Sequence, residues 1–353
     1  MQQETPDDIV ESLDGYCDGG YHPVHLHDIF NNRYKVVAKL GNGANSTVWC
    51  ALDIQNTQRP RHFALKVCVS ATCSARPPWH EIDMHNRVSN GPWYPGKAHV
   101  SQLLEFFWHN GPNGRHLCLV FPLLVVDCVA LMRAGLLRRA ERLKVVSRHV
   151  VMGLSYLFRV GMVHGDLHPG NIMVEIPEVE ASPVSFEEPR LLERGSPCEA
   201  YRPRYLVPAQ RILCDLDGLA WSRVSFKIVD LGCAFLHLRS TLGSEHAQMR
   251  ERWTLASVIV ELASSKFMTG SEIMEIATGK TMAMSGSSKE RMRDIDDEMM
   301  RCLSNHLRYN VLLREFDMAH LSHLTYFLLR LMCWDLHSLP PMDSLLGLRF
   351  LRP

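Results

Sequence analysis

Apolar and polar positions change their period along the chain. Three runs, "RYKVVAKLG", "STVWCALDI" and "HFALKVCVS", are short, rich in β-branched and apolar residues, and bounded by Gly, Asn and Pro, so they predict strands. "RHLCLVF", after a "GPNG" turn, predicts another strand of the same sheet. Beyond it the period turns helical. Leu143, Val146, Val150, Leu154 and Leu157 share one helical face, and Gly161 sits where a C-terminal stop belongs. "KIVDLG" reads as a short strand, whereas "WTLASVIVELA" and "LTYFLLRLMCWD" are apolar nearly all round and predict helices buried inside a lobe. Residues 1–32 are polar and Gly-rich, an N-terminal arm. Residues 176–224 carry Pro, Glu, Ser and Arg with little periodicity and read as an insertion. The expected class is α+β: a small β-rich lobe over 33–122, then a larger, mainly helical lobe over 123–353 that contains the insertion.

Composition narrows this picture. A chain of 353 residues that is 46% hydrophobic can bury a large core split between two lobes. Its 38 basic and 38 acidic side chains cancel, so no bulk field points to direct nucleic-acid or membrane binding. The acidic, polar start is not a secretory signal, and the most apolar stretch, 117–132, is broken by Pro122 and Asp127. Eleven scattered cysteines without a CxxC pair read as free thiols of a reducing compartment, the cytoplasm or nucleus.

Candidate chemistry sits in three places. "LGNGANSTV" comprises Leu40, Gly41, Asn42, Gly43, Ala44, Asn45, Ser46, Thr47 and Val48. It lies between two expected strands, and its glycines remove side chains where backbone amides must approach phosphate oxygens. A Gly-Asn-Gly stretch is most often only a hairpin turn. "ALKV" on the next strand raises it, because Lys66 would project from a half-buried strand toward the same phosphates. "HEIDMH" then offers Glu81 as the carboxylate that holds that lysine. In "MVHGDLHPGNIMV", Asp166 would orient an acceptor hydroxyl and accept its proton, and Asn171 supplies a hard oxygen ligand. Asp230 in "IVDLG" supplies the second metal ligand, a carboxylate. Mg²⁺ favours few protein oxygens plus phosphate oxygens, which this set provides. His62, His80 and His85 read as surface or satisfied polar residues.

These five elements in this order make the chain resemble a eukaryotic protein kinase. Within that superfamily it is similar to the SR-protein kinases, through "GGYHPVHLHDIFNNRYKVVAKLGNGANSTVW", "GPNGRHLCLVF", "DLG" in place of the commoner DFG, and the insertion before the DLG strand. The resemblance implies a two-lobed protein-kinase-like fold and a serine/threonine protein kinase that uses ATP and Mg²⁺. It implies as substrates Arg-Ser-rich splicing factors, met in the cytoplasm or nucleus by a monomer. By the same carry-over Ala64 and residues 40–48 cover ATP and Lys66 pairs with Glu81. Phe121 backs the adenine pocket, Pro122 to Leu124 form the hinge, and Asn171 and Asp230 hold the metal. His168 replaces the usual lysine near the transferred phosphate, where an imidazole donates a hydrogen bond but stabilises less charge.

Several departures accompany the match. Gly165 stands where many kinases carry the arginine that meets an activation-loop phosphate, so that switch is absent. Asp230 and Trp253 are only 23 residues apart, about a dozen or more fewer than the family pattern, and no Ala-Pro-Glu-like end is present. Leu339 replaces the arginine that would pair with the missing glutamate. Arg252 stands where the family has an Asp that accepts catalytic-loop N–H groups, a role closed to a guanidinium, which only donates. Two further readings follow. One is a nucleotide-binding pseudokinase or scaffold whose short segment cannot seat a peptide. The other is a small-molecule kinase, because "HGDLHPGN" also resembles the loop of aminoglycoside and choline phosphotransferases. A misplaced exon junction would also shorten the segment, and sequencing the transcript across residues 233–252 distinguishes that origin.

Overall fold

A computed structural model describes residues 10–56, 58, 61–70, 77, 79–176, 186, 192–193, 201–210, 212, 221–237, 242–264, 303, 305–307, 317–332 and 340–352. Contacts divide the chain into two units. The first holds residues up to 90, 101–126 and 175–219, and the second holds 91–100, 127–174 and 220 onward.

The first unit is built on a six-stranded antiparallel sheet in the order β1-β2-β3-β4-β6-β5. Its strands are β1 Ile29–Phe30, β2 Tyr34–Gly43, β3 Ser46–Asp53, β4 His62–Ser70, β5 Glu105–Gly111 and β6 Gly114–Pro122. The three β-branched runs read from the sequence are β2, β3 and β4, and "RHLCLVF" lies in β6. Alternation divides the sheet into two faces. Trp49, Leu65, Val67, Cys118 and Val120 are buried on one of them against Val24, Phe30 and Val207. Each such side chain contributes about 1.5–3 kcal/mol by leaving water. The other face packs on helix α1, His80–Asn90, through Ile82, Leu117, Leu119 and Phe121.

Residues 10–32 pack within the first unit: Tyr16, Val24 and Phe30 are buried there, and Tyr16 donates its hydroxyl to buried Glu11. Part of the insertion belongs there too. The Leu26 amide donates to the Tyr205 hydroxyl at 3.2 Å, the Gln210 amide to the Lys39 carbonyl at 2.7 Å, and Val207 joins the core. β9, Leu192–Glu193, pairs with β10, Tyr205–Leu206. Few apolar residues in a polar stretch carry these contacts, so periodicity does not reveal them.

The second unit is mainly helical. Helix α2 is Cys128–Arg133, α3 Ala140–Arg159, α4 Leu242–Ser264 and α5 Met318–Leu331. α3 contains the predicted apolar face, with Leu143, Val146, Val150, Leu154 and Leu157 all buried. Asp127 caps α2 and Asp317 caps α5, each carboxylate accepting an amide of the first turn at 2.7 Å. "WTLASVIVELA" lies within α4, which starts well before it. "LTYFLLRLMCWD" begins in α5, and its last three residues lie outside the described ones, as do Leu339 and most of 176–224. Two small ribbons complete the unit: β7, Met162–Val163, with β12, Phe235–Leu236, and β8, Ile172–Glu175, with β11, Ser225–Ile228. No helix among the described residues is long and apolar enough to cross a membrane.

Candidate functional site

In the first unit the register brings the expected nucleotide residues onto one face. β2 and β3 meet at a two-residue turn, Ala44 and Asn45, with Gly43 opposite Ser46 and Gly41 opposite Val48. Val48 lies opposite Lys66, Lys66 opposite Leu119, and Ala64 opposite Phe121. Residues directly opposite in an antiparallel pair share a face, so Val48, Ala64, Lys66 and Phe121 line the same side. The Lys66 ammonium donates to both Glu81 carboxylate oxygens, at 2.8 and 2.9 Å, with the two side chains only 13% and 11% exposed. His85, one turn further along α1, is buried rather than a surface residue, with Nε2 3.9 Å from Glu81. Gly41 and Gly43 have negative φ, and a Cβ at either would meet nothing within 4 Å. Neither the backbone conformation nor internal packing demands glycine there. The space is open on that side, as close approach by a ligand requires.

In the second unit the two ribbons frame a loop. β7 ends at Val163, the loop runs from His164 to Asn171, and β8 leaves it, while Asp230 follows β11 directly after Val229. His164 is fully buried and joins the two sides. Its Nδ1 accepts the Asp166 amide at 3.2 Å, so Nε2 carries the proton and donates to the Val229 carbonyl at 2.9 Å. Burial pushes its pKa down. The Val229 amide donates to the Asn171 carbonyl at 3.0 Å, and the Asn171 side-chain nitrogen donates to the Asp166 carbonyl at 2.9 Å. That bond commits the Asn171 nitrogen and leaves its side-chain oxygen as the atom that could accept or ligate. Asp166 and Asp230 are both exposed at the surface of this frame, and both their charges act on His164. Asp230 takes a left-handed conformation, φ 62°, and accepts the Gly232 amide at 3.2 Å. His168 accepts the Gly170 amide through Nδ1 at 3.0 Å, capping the short turn Pro169–Asn171.

Comparison with known proteins agrees with this geometry. Residues 34–182 match the protein kinase domain. The serine/threonine-protein kinase SRPK of Physarum polycephalum is 28% identical over 291 residues, 73% of this chain and 66% of that protein. SRSF protein kinase 3 of Homo sapiens is 34% identical over 200 residues, 56% of this chain and 34% of that protein. The serine/threonine-protein kinase SKY1 of Saccharomyces cerevisiae is 35% identical over 178 residues, 48% of this chain and 24% of that protein. The chain is similar to SRPK-type protein kinases, and its residues 34–182 match a protein kinase domain. It spans about two thirds of the first relative and a third or less of the other two.

A protein kinase domain implies ATP with a divalent cation, and the donor set fits such a pair. Among the described residues no group of three or more His, Cys, Asp or Glu could hold a metal alone. The Asn171 and Asp230 oxygens therefore suit a hard cation that completes its shell with phosphate and water oxygens. The open-sided glycines and the paired Lys66 suit the phosphates.

Two of the departures acquire physical reasons. Gly165 has φ 81°, and a Cβ there would stand 2.7 Å from the Cys233 carbonyl oxygen. The turn after Asp230 occupies the space an arginine would need. The second reason concerns the missing Asp. The Gly165 amide donates to the Glu251 Oε2 at 3.2 Å, so the residue before Arg252 takes the loop amide. Adjacent helical residues differ by about 100°, and Arg252 accordingly faces elsewhere, donating through Nη2 to the Pro340 carbonyl at 2.6 Å. Glu251 is 4% exposed. Burial lifts its pKa to about 7, against the opposing pull of the Gly165 and His164 amides. Its Oε1 is buried with no hydrogen-bond partner among the described residues. Sequence reading missed Glu251, and the only signal for it was an acid one position from the expected site.

Proposed function

We propose that the chain is an ATP-dependent serine/threonine protein kinase of SR-protein-kinase type, whose substrates are Arg-Ser-rich splicing factors met in the cytoplasm or nucleus. Residues 40–48, Ala64 and Lys66 hold ATP, with Phe121 and residues 122–124 around the adenine. Asn171 and Asp230 hold Mg²⁺, which shields charge on the phosphates when bound. Asp166 orients the acceptor hydroxyl and takes its proton as the γ-phosphate transfers, and His168 donates a hydrogen bond nearby. The bidentate Lys66–Glu81 pair carries the reading, because a lysine so fixed on an open strand face presents one oriented charge rather than a mobile one.

A second reading, nucleotide binding without protein phosphorylation, is favoured by one observation. Asp230 and Trp253 are only 23 residues apart, about a dozen or more fewer than the family pattern, which leaves little chain on which to seat a peptide. Radiolabelled ATP with an Arg-Ser peptide separates the readings. Under the first, wild type labels the peptide, Lys66→Met weakens Mg·ATP binding about 10- to 100-fold, and Asp166→Asn slows transfer about 10²- to 10⁴-fold. Binding without transfer favours the second. Labelling of choline or an aminoglycoside but not the peptide would replace both with a small-molecule kinase.

A further inference from the structure

The Gly-rich hairpin has a contact that its own two strands do not supply. The Tyr21 hydroxyl donates to the Gly43 carbonyl at 2.8 Å and lies 3.3 Å from the Ala44 carbonyl. Tyr21 precedes the stretch that matches the kinase domain, yet it belongs to the same compact unit as the hairpin. Its backbone is fixed on both sides. The Tyr21 amide donates to the Gly15 carbonyl at 2.8 Å, and the Tyr21 carbonyl accepts the Asn113 side chain at 2.5 Å. Asn113 is fully buried in the β5–β6 turn and also accepts the Gly19 amide through its carbonyl at 2.8 Å. The ring is held as well. It lies 5.5 Å from the Tyr16 ring, and any side chain at Gly15 would strike it. The hydroxyl is therefore a rigid anchor, and the hairpin tip is the part that conforms to it.

A trans peptide fixes what this anchor does. Its C=O and N–H point in opposite directions, so turning the Gly43 carbonyl toward Tyr21 turns the Ala44 amide away from it. The Ala44 carbonyl, turned the same way, does likewise for the Asn45 amide. We infer that Tyr21 is a positioning residue that aims the Ala44 and Asn45 amides at the phosphates of the nucleotide. This rests on the ATP reading above and adds a residue outside the nucleotide-contacting set. Its effect falls on the phosphate end of the ligand and leaves the adenosine end alone.

Tyr21→Phe tests this, since it keeps the ring and removes only the hydroxyl. Two measurements on the full chain are needed: ¹⁵N relaxation order parameters of the Ala44 and Asn45 amides without nucleotide, and dissociation constants for Mg·ATP and for adenosine. The expected result is order parameters at the tip falling toward the flexible range below about 0.6, ATP bound about 3- to 10-fold more weakly, and adenosine affinity unchanged. A general structural defect would weaken both ligands together, and that outcome overturns the assignment, as do unchanged order parameters at both amides. If wild type binds neither ligand, the ATP reading fails and the aiming role fails with it. The order parameters then still report whether Tyr21 holds the tip. If wild type binds both and Tyr21→Phe alters neither, only the positioning role is lost.

Discussion

Replacing Glu251 with glutamine should change how the stability of the chain depends on pH, by an amount the structure sets. Burial holds the Glu251 pKa near 7, against an ordinary value of 4.5. Between those values the folded chain keeps a proton that the unfolded chain has released. Stability therefore falls as pH rises from about 4.5 to about 7 and is flat in this contribution above that. At about 1.4 kcal/mol per unit the whole decline is about 3 kcal/mol. Glutamine keeps an oxygen to accept the Gly165 amide and cannot ionise, so the variant lacks this decline. Urea unfolding of both proteins at half-unit steps from pH 4.5 to 8 gives the difference curve. The variant should gain about 3 kcal/mol on wild type across that window. Other groups titrate alike in both proteins and cancel. Parallel curves would mean that Glu251 is ionised at ordinary cost, and the buried anchor described above would be wrong. Glu251→Ala should also lack the decline but start about 1–3 kcal/mol below wild type at pH 4.5, because the Gly165 amide is left without an acceptor.

Two further outcomes follow from packing. Gly165→Ala combines a left-handed backbone with a clash at the Cys233 carbonyl, and should lower the thermal midpoint by the equivalent of about 1–3 kcal/mol; an unchanged midpoint would show that the turn after Asp230 yields freely. Glu11→Leu strands the fully buried Lys39 ammonium, which donates to Glu11 and lies 5.5 Å from the Trp49 ring centre. It should cost about 3–5 kcal/mol in denaturant unfolding, while Glu11→Leu with Lys39→Met should recover most of that. A double variant as unstable as the single one would refute the pairing.

The parts of the site that were legible in the sequence are those fixed by local spacing. Asp166, Asn171 and His164 lie within one eight-residue loop, and two ribbons return that loop to Asp230. Short β-branched and apolar runs bounded by turn residues likewise gave β2, β3, β4 and β6, because each is largely buried. What was not legible depends on contacts between distant segments. Glu251 meets Gly165 across 86 positions, and nothing near Glu251 distinguishes it from an ordinary helical acid. Residues 1–32 read as an arm because the core side chains Tyr16, Val24 and Phe30 are scattered among polar ones, and only the finished sheet shows the surface they cover. β5 was not read from the sequence because its aromatics Phe106, Phe107 and Trp108 are consecutive, so the run shows no alternation.

Glu251 and Arg252 are neighbours on α4 with opposite tasks, and the buried residues Leu255, Ala256, Ile259 and Val260 clamp the rotation of the helix just beyond them. One residue gained or lost between Arg252 and Leu255 would swing both side chains by about 100° and exchange a proton-accepting group for a cation behind the Gly165 amide. The helix phase at that end thus decides which of the two side chains, carboxylate or guanidinium, meets the catalytic-type loop.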